Sequence, residues 1–568
     1  MSLNRRQFLK NTSIGTAGLI GGASMLRKSA FAYYPASATS QLSFIGATLT
    51  GGTAPNQTFT YTSKYTSASA TSSGTASNGI QTGRMGLIYD VLMPFQSAIA
   101  AAIVGKTIII KPNMVYTGSS STYSSTGSST PLNATHVDAV RGLINFLRDT
   151  SANVPIVIAE ASATTTATMY NTCGFCALVT QYTGVTLVDL NTNSTVSSTG
   201  GTTANAGYAA VTSYLWKTDL ATSIAVNVGP IWLSKNYYII SICRPKTHNC
   251  EVVTGVTKNC SMGMPLTSTN SVQSTNSKTL MHAVGDSQGT VTNEDRDLAW
   301  NIFQNATQYT LNNHPDFAIL DAWEGEQHNG PVSGVPMQQG CAVAGVDHVA
   351  VDRIGAKLMG LSDTPNYAPK LPDTTPSYTD PRYLLWMGNA GIGNYDINKI
   401  SFVQQTTGQT SAAFLTSVVA PYIQTYQMAD NYANTPYYEV EWQTADTLGP
   451  KVSAPNSLFP FSPGQSGVVG NPAPIMIQQK NMHVGGVVEA NEIKIDLFMP
   501  AGYDIKLGIF NMKGQEIRKL ANEYLNQGRF SIYWDCRDDR GSKVANGGYI
   551  IKLQFGQRQL SDHITLAR

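Results

Sequence analysis

Between residues 106 and 359 short apolar runs alternate with amphipathic stretches, and this rhythm restricts the fold more than any other feature of the chain. Lys106-Thr-Ile-Ile-Ile-Lys111 is a β-branched run bounded by Gly105 and Pro112, as a buried strand requires. Pro155–Ala159, Val185–Asp189, Tyr237–Ile242 and Phe317–Asp321 repeat the pattern. Between them, His136 to Arg148 sets Val137, Val140, Ile144 and Leu147 on one helical face, with Asn133 or Thr135 placed to cap it. A second helix is predicted over Cys173–Gln181 and a third from Val349 to Met359. Strands alternating with helices predict an α/β fold: a mostly parallel sheet covered by helices on both faces. In such sheets ligands bind beyond the carboxyl ends of the strands.

At 568 residues the chain is too long for one core, so two or three domains are expected. Five segments are delimited: 1–32, 33–85, 86–447, 448–474 and 475–568. The second is a Ser/Thr-rich lead-in with an edge strand near Gln41–Ile45, the third the α/β domain and the fourth a Pro/Gly-rich linker. Only 13% of residues are charged, about half the usual share, and Ser/Thr/Gly tracts such as 117–130 and 191–206 take their place. The net charge of +2 gives no electrostatic case for nucleic acid.

Segment 1–32 carries an address. Arg5-Arg6 precedes Phe8, Leu9 and Lys10, an apolar stretch follows from Ile14 to Leu26, and Ala30-Phe31-Ala32 supplies a small-x-small end. These residues resemble a signal peptide of the twin-arginine type. The resemblance implies the twin-arginine translocase as a partner during export, a mature chain starting near Tyr33, and a periplasmic, cell-surface or extracellular location. The apolar middle is shorter than the roughly 20 residues that cross a bilayer, and no stable transmembrane segment is expected in the mature chain.

After residue 475 the pattern turns to pure β. Ile493–Phe498, Ile505–Phe510 and Tyr549–Leu553 alternate, with turns at Lys513-Gly514, Asp539-Arg-Gly541 and Asn546-Gly-Gly548. Such spacing predicts a small all-β sandwich. The run Phe510–Ile517 together with Trp534-Asp535, Asp538–Gly541 and Gly547–Tyr549 resembles the immunoglobulin-like domain of the flagellar hook-capping protein and of secretion-sorting tails. That resemblance implies attachment or sorting machinery at the cell surface as a partner of residues 475–568; a passive stabilising role is the alternative.

Polar residues gather where strands of the α/β region end. Lys111-Pro-Asn113 follows one strand, Arg244-Pro-Lys246-Thr-His248 another, and Thr257-Lys258-Asn259 comes soon after. Asp321-Ala-Trp-Glu324 follows a third strand, leading to turns at Asn329-Gly-Pro331 and Gly334, while Asp347 and Asp352 open the last helix. Lys246, His248, Lys258 and Glu324 are the candidates for acid/base work. Lys111, Asn113, Asn259, Asp347 and Asp352 are candidates for substrate binding, the lysines suiting carboxylate or phosphate. The same groups could instead pair with one another and fix loops.

Cysteine chemistry stays open. Cys243, His248, Cys250 and Cys260 fall within eighteen residues, and a metal or an iron–sulfur cofactor there is one reading, although the spacing fits no standard ligand signature. Buried structural thiols are the other. Cys173-Gly-Phe-Cys176 has redox or half-metal-site spacing, with packing or a local disulfide as the favoured reading.

Lys111–Asn113, Lys246–His248, Thr257–Asn259, Asp321 with His328-Asn-Gly-Pro331, and Asp347–Leu361 stand in the order seen in the domain of unknown function 362 family, which the central region resembles. Some members carry a ferredoxin-type cysteine set; none follows here. The resemblance brings no activity with it. Two functions are therefore carried forward: an exported enzyme, cofactor- or metal-dependent, acting on a small anionic substrate, or a non-catalytic surface protein that binds or supports.

Overall fold

The computed structural model describes residues 39–427 and 478–566 apart from internal stretches, the longest being 116–130, 283–297 and 362–381. Residues 1–32, expected above to be a signal peptide, the expected linker 448–474 and Cys250 lie outside the described residues. Two compact units divide the chain, the first ending at Thr444 and the second starting at Ala445.

A mixed, mostly parallel sheet of twelve strands forms the first unit. The strands are β1 (Ser40–Gly46), β2 (Thr107–Lys111), β3 (Ile156–Glu160), β4 (Val185–Asp189), β5 (Ser194–Val196), β6 (Thr202–Ala204), β7 (Tyr237–Cys243), β8 (Lys246–His248), β9 (Val252–Thr254), β10 (Phe317–Asn329), β11 (Ser333–Gly345) and β12 (Ile400–Phe402). Their order is β6-β5-β4-β3-β2-β7-β10-β11-β1-β12, with β8 pairing β9 and β10. The run from β4 through β10 is parallel. β11 then turns back antiparallel to both β10 and β1.

Both faces of this sheet are covered, as the unbroken apolar runs require. Phe317 and Ile319 of β10 join one core cluster while Ala318 and Leu320 join the other, the two-residue alternation of a pleated strand. Helices α1 (Gly83–Leu92) and α2 (Val137–Thr150) belong to the first cluster, with α3 (Val256–Gly263) and α4 (His348–Leu358) contributing to the second. Val137, Val140, Ile144 and Leu147 are all buried, so the apolar stripe of α2 is the one its spacing predicts.

Four expectations need correction. Gln41–Ile45 is not an edge: Leu42 and Phe44 are buried, and β1 lies between β11 and β12. The helix over Cys173–Gln181 is broken, because Gly174 adopts a left-handed φ of 78° between a helix ending at Thr172 and a 3-10 turn at Phe175–Ala177. Cys173 and Cys176 are buried free thiols rather than a disulfide. Asp321–Glu324 does not follow β10 but lies inside it, since that strand continues to Asn329.

One helical stretch, Gly83–Ala102, is long and apolar enough to cross a membrane by length and composition. Pro94 interrupts it, and Leu87, Ile88, Val91, Leu92, Phe95 and Ile99 are packed in the core, which accounts for its apolar character.

In the second unit the described strands are antiparallel. Ile493–Met499 pairs Gly528–Trp534, while Glu516–Leu525, Tyr503–Asn511, Gly547–Phe555 and Arg558–Leu566 form a four-stranded sheet. Ile495 and Trp534 of one sheet share a core cluster with Leu507, Ile509, Ile551 and Leu553 of the other. Gly514 and Gly541 take positive φ at the predicted turns.

Candidate functional site

β2, β3 and β7 end side by side, so their last side chains converge at one edge of the sheet. Lys111, fully buried, donates from Nζ to Glu160 Oε2 at 2.7 Å, to the Pro112 carbonyl at 2.6 Å and to Asn259 Oδ1 at 3.1 Å. Asn259 donates in turn to the Lys111 carbonyl and to Ser241 Oγ. Glu160 also accepts the backbone N–H groups of Met114 and Ala161. Gly263 makes room for the lysine, since a Cβ there would stand 2.3 Å from Lys111 Cε.

Asn113 bridges this network to the next lysine. Thr135 Oγ1 accepts its N–H, its Nδ2 donates to Asn259 Oδ1, and its Oδ1 accepts from Lys246 Nζ. Thr135 is thus engaged elsewhere, and His136 caps α2 instead, its Nδ1 accepting the Asp138 N–H at 3.1 Å. Lys246 and Glu326 are register partners across β8 and β10, and both are buried. Burial lowers the Lys246 ammonium to about 8, against the pull of Cys243 and Glu326. The Glu326 carboxyl is pushed up to about 7 by burial, against Lys246 and the Gly334 N–H. Glu326 Oε1 accepts that N–H at 3.2 Å, while Oε2 has no hydrogen bond. The two neutral forms, amine and acid, are therefore within reach of neutral pH.

Glu324 belongs to a different cluster. Its Oε2 lies 3.4 Å from Arg244 Nη1 and 3.5 Å from Arg84 Nη2, and its Oε1 accepts from Gln338 Nε2 at 2.6 Å. Asp321 Oδ2 is 3.4 Å from Arg84 Nε. Burial pushes the Asp321 carboxyl up and the Arg244 guanidinium down.

The remaining predicted residues do other work. Asp347 caps α4, accepting the N–H groups of Val349 and Ala350 on Oδ1 and of Asn394 on Oδ2. Asp352 accepts the N–H groups of Val256 and Thr257 at 2.7 and 2.8 Å, so it caps α3; burial raises it to about 7. Lys258 is buried in α3, and His248 is buried at the end of β8. Cys243 is a buried free thiol pushed well up by burial, and Cys260 is buried in α3. Among the described residues no three His, Cys, Asp or Glu side chains gather to hold a metal.

Sequence reasoning passed over Glu160, Glu326, Arg84 and His136. Glu160 had a signal: a carboxylate closing an otherwise apolar strand. Glu326 had none, because the strand containing it was ended at Asp321.

No curated protein matches the chain. The crystal structure of FlgD from P. aeruginosa matches at 19% identity and a TM-score of 0.12, over 14% of this chain and 62% of that one. The chain thus spans less than two thirds of that relative. Lys111, Asn113 and Glu160 lie outside the stretch that a family model covers, whereas Lys246, Lys258, Asn259, Glu324, Glu326, Asp347 and Asp352 lie within it. Residues 231–357 match the family model described as domain of unknown function (DUF362), and this segment of the chain is a DUF362 domain.

Proposed function

We propose that the chain is an exported enzyme acting on a small anionic substrate at the carboxyl edge of the parallel strands, with Lys246 moving the proton. What carries this reading is the buried Lys246, held by Asn113 opposite Glu326, with the acid and the amine both displaced toward neutrality. A group whose pKa lies near the working pH is the efficient proton-transfer agent. Asn113 would orient the amine, and Glu326 would return or accept the proton.

Cyanate tests this directly, because it is a small anion that carbamylates unprotonated amines. With the whole chain near pH 8, Lys246 is expected to be carbamylated ahead of exposed lysines such as Lys519. Peptide mass mapping reads the order of modification. Protection of Lys246 until the protein is unfolded would sink the proposal.

Export by the twin-arginine route is part of the same reading and rests on Arg5-Arg6 and the apolar stretch after it. Sequencing the N-terminus of the exported chain should give a start near Tyr33; an intact Met1 outside the cytoplasm would contradict it. A non-catalytic surface protein is the second reading. It is favoured by Met512, Tyr524 and Tyr533, which are 61%, 59% and 51% exposed on the immunoglobulin-like tail.

A further inference from the structure

Arg84 lies in the first turn of α1, His136 caps α2, and Arg244 follows β7 directly. All three are buried, with Arg244 wholly so. Their donors are underused to a degree that buried guanidinium groups rarely are. Arg244 Nε, Nη1 and Nη2, Arg84 Nε and Nη1, and His136 Nε2 have no hydrogen-bond partner. Arg84 Nη2 donates one long hydrogen bond to Glu324 Oε2 at 3.5 Å, while Arg84 Nε to Asp321 and Arg244 Nη1 to Glu324, both at 3.4 Å, are ion pairs without a hydrogen bond. They offset charge but leave most of the N–H groups idle.

His136 adds a donor rather than a charge. Burial, followed by the Arg84 and Arg244 guanidinium groups and Arg141, holds its imidazole well below its ordinary range. Because Nδ1 accepts the Asp138 N–H, the single ring proton of the neutral form sits on Nε2. The N-termini of α1 and α2, ten and fourteen residues long, bring the positive ends of two helix dipoles to the same region.

We infer that Arg84, Arg244 and His136 form a receptor for one small oxyanion, a carboxylate or a phosphate or sulfate group. Fork-shaped guanidinium donors match the paired oxygens that all of these present. The inference does not rest on Lys246 as a proton carrier, since it concerns binding alone.

Calorimetry and thermal unfolding of the whole chain with inorganic phosphate, sulfate and acetate test it. At least one of the three is expected to bind at one site per chain and raise the melting temperature; which one separates tetrahedral from planar anions. Arg244→Met alone would strand Glu324, so it is paired with Glu324→Gln, which removes both charges together. That double variant should fold and lose about tenfold or more in affinity. His136→Asp keeps a cap acceptor for α2 and puts a negative charge where the anion sits, so it should fold and not bind. Failure of all three anions to bind, or undiminished binding by the Arg244→Met/Glu324→Gln protein, overturns the receptor. So does loss of binding in Lys246→Met with the arginine variant unaffected, an outcome that would move the anion to the lysine site.

Discussion

Lys111 and Lys246 stand at neighbouring strand ends, are equally buried, and share Asn113 and Asn259 through one hydrogen-bonded chain. Their surroundings nevertheless differ in kind. Around Lys111 the ammonium has three oxygen acceptors, and Glu160 beside it is held by two backbone N–H groups as well. Around Lys246 the ammonium has one amide oxygen, and its facing carboxylate keeps an oxygen without a hydrogen bond. The first arrangement stabilises both charges; the second leaves each charge poorly solvated, so both groups drift toward their neutral forms. A lysine at the ligand-binding edge is therefore no guide to chemistry until its acceptors are counted.

Removing the acceptors around Lys111 should have the largest effect. Glu160→Ala leaves a buried ammonium without its counter-ion and two backbone N–H groups without an acceptor. A loss of about 3–5 kcal/mol is expected from denaturant unfolding. Pairing it with Lys111→Met should recover part of that loss, since no isolated charge then remains. If Glu160→Ala costs no more than a surface substitution, water must already serve Lys111, and the contrast between the two lysines collapses.

Much of this framework is legible in the sequence because period and termination are local. β2, β3, β4 and β7 fall where the β-branched runs do, and the stripe of α2 is the spaced one. Polar residues at strand ends point to the edge of the sheet where Lys111, Asn113, Lys246 and Asn259 meet. What stays hidden is pairing at a distance. Nothing in the alternation of Asp321-Ala-Trp-Glu324-Gly-Glu326 says that β10 runs on to Asn329, because an isolated acidic residue reads as a strand end until the partner strand β11 is known. Likewise Asp347 and Asp352 read as ligands by type: Asp347 caps α4 locally, but its second oxygen is taken by Asn394, and Asp352 caps α3, both from elsewhere in the chain. The cap of α2 passed from Thr135 to His136 for the same reason, since Asn113 already occupies the threonine.

A smaller effect, and a sharper test of the difference between the lysines, lies in pH. Glu326 titrates near 7 in the folded protein against an ordinary 4.5, so between those values the unfolded chain ionises first. Its contribution to stability is complete below about 4.5 and is lost as pH rises to about 7. Lys246 acts in the opposite sense: lowered from 10.5 to about 8, it gives stability back as pH rises through that interval, where the unfolded chain still holds the proton. Stability should therefore dip between about 7 and 8. Each limb is on the order of 3 kcal/mol. Glu326→Gln, measured by urea unfolding across this range, should shrink the acid limb to the share that Asp352, also raised to about 7, supplies, and should keep an alkaline limb. Lys246→Met should shrink the alkaline limb to the share that buried Lys278, lowered to about 7, supplies, and Lys111→Met should change overall stability with only a small change in the dip. An unaltered acid limb in Glu326→Gln would mean that the carboxylate is better solvated than its single N–H contact implies, making the Lys246 site as settled as that of Lys111.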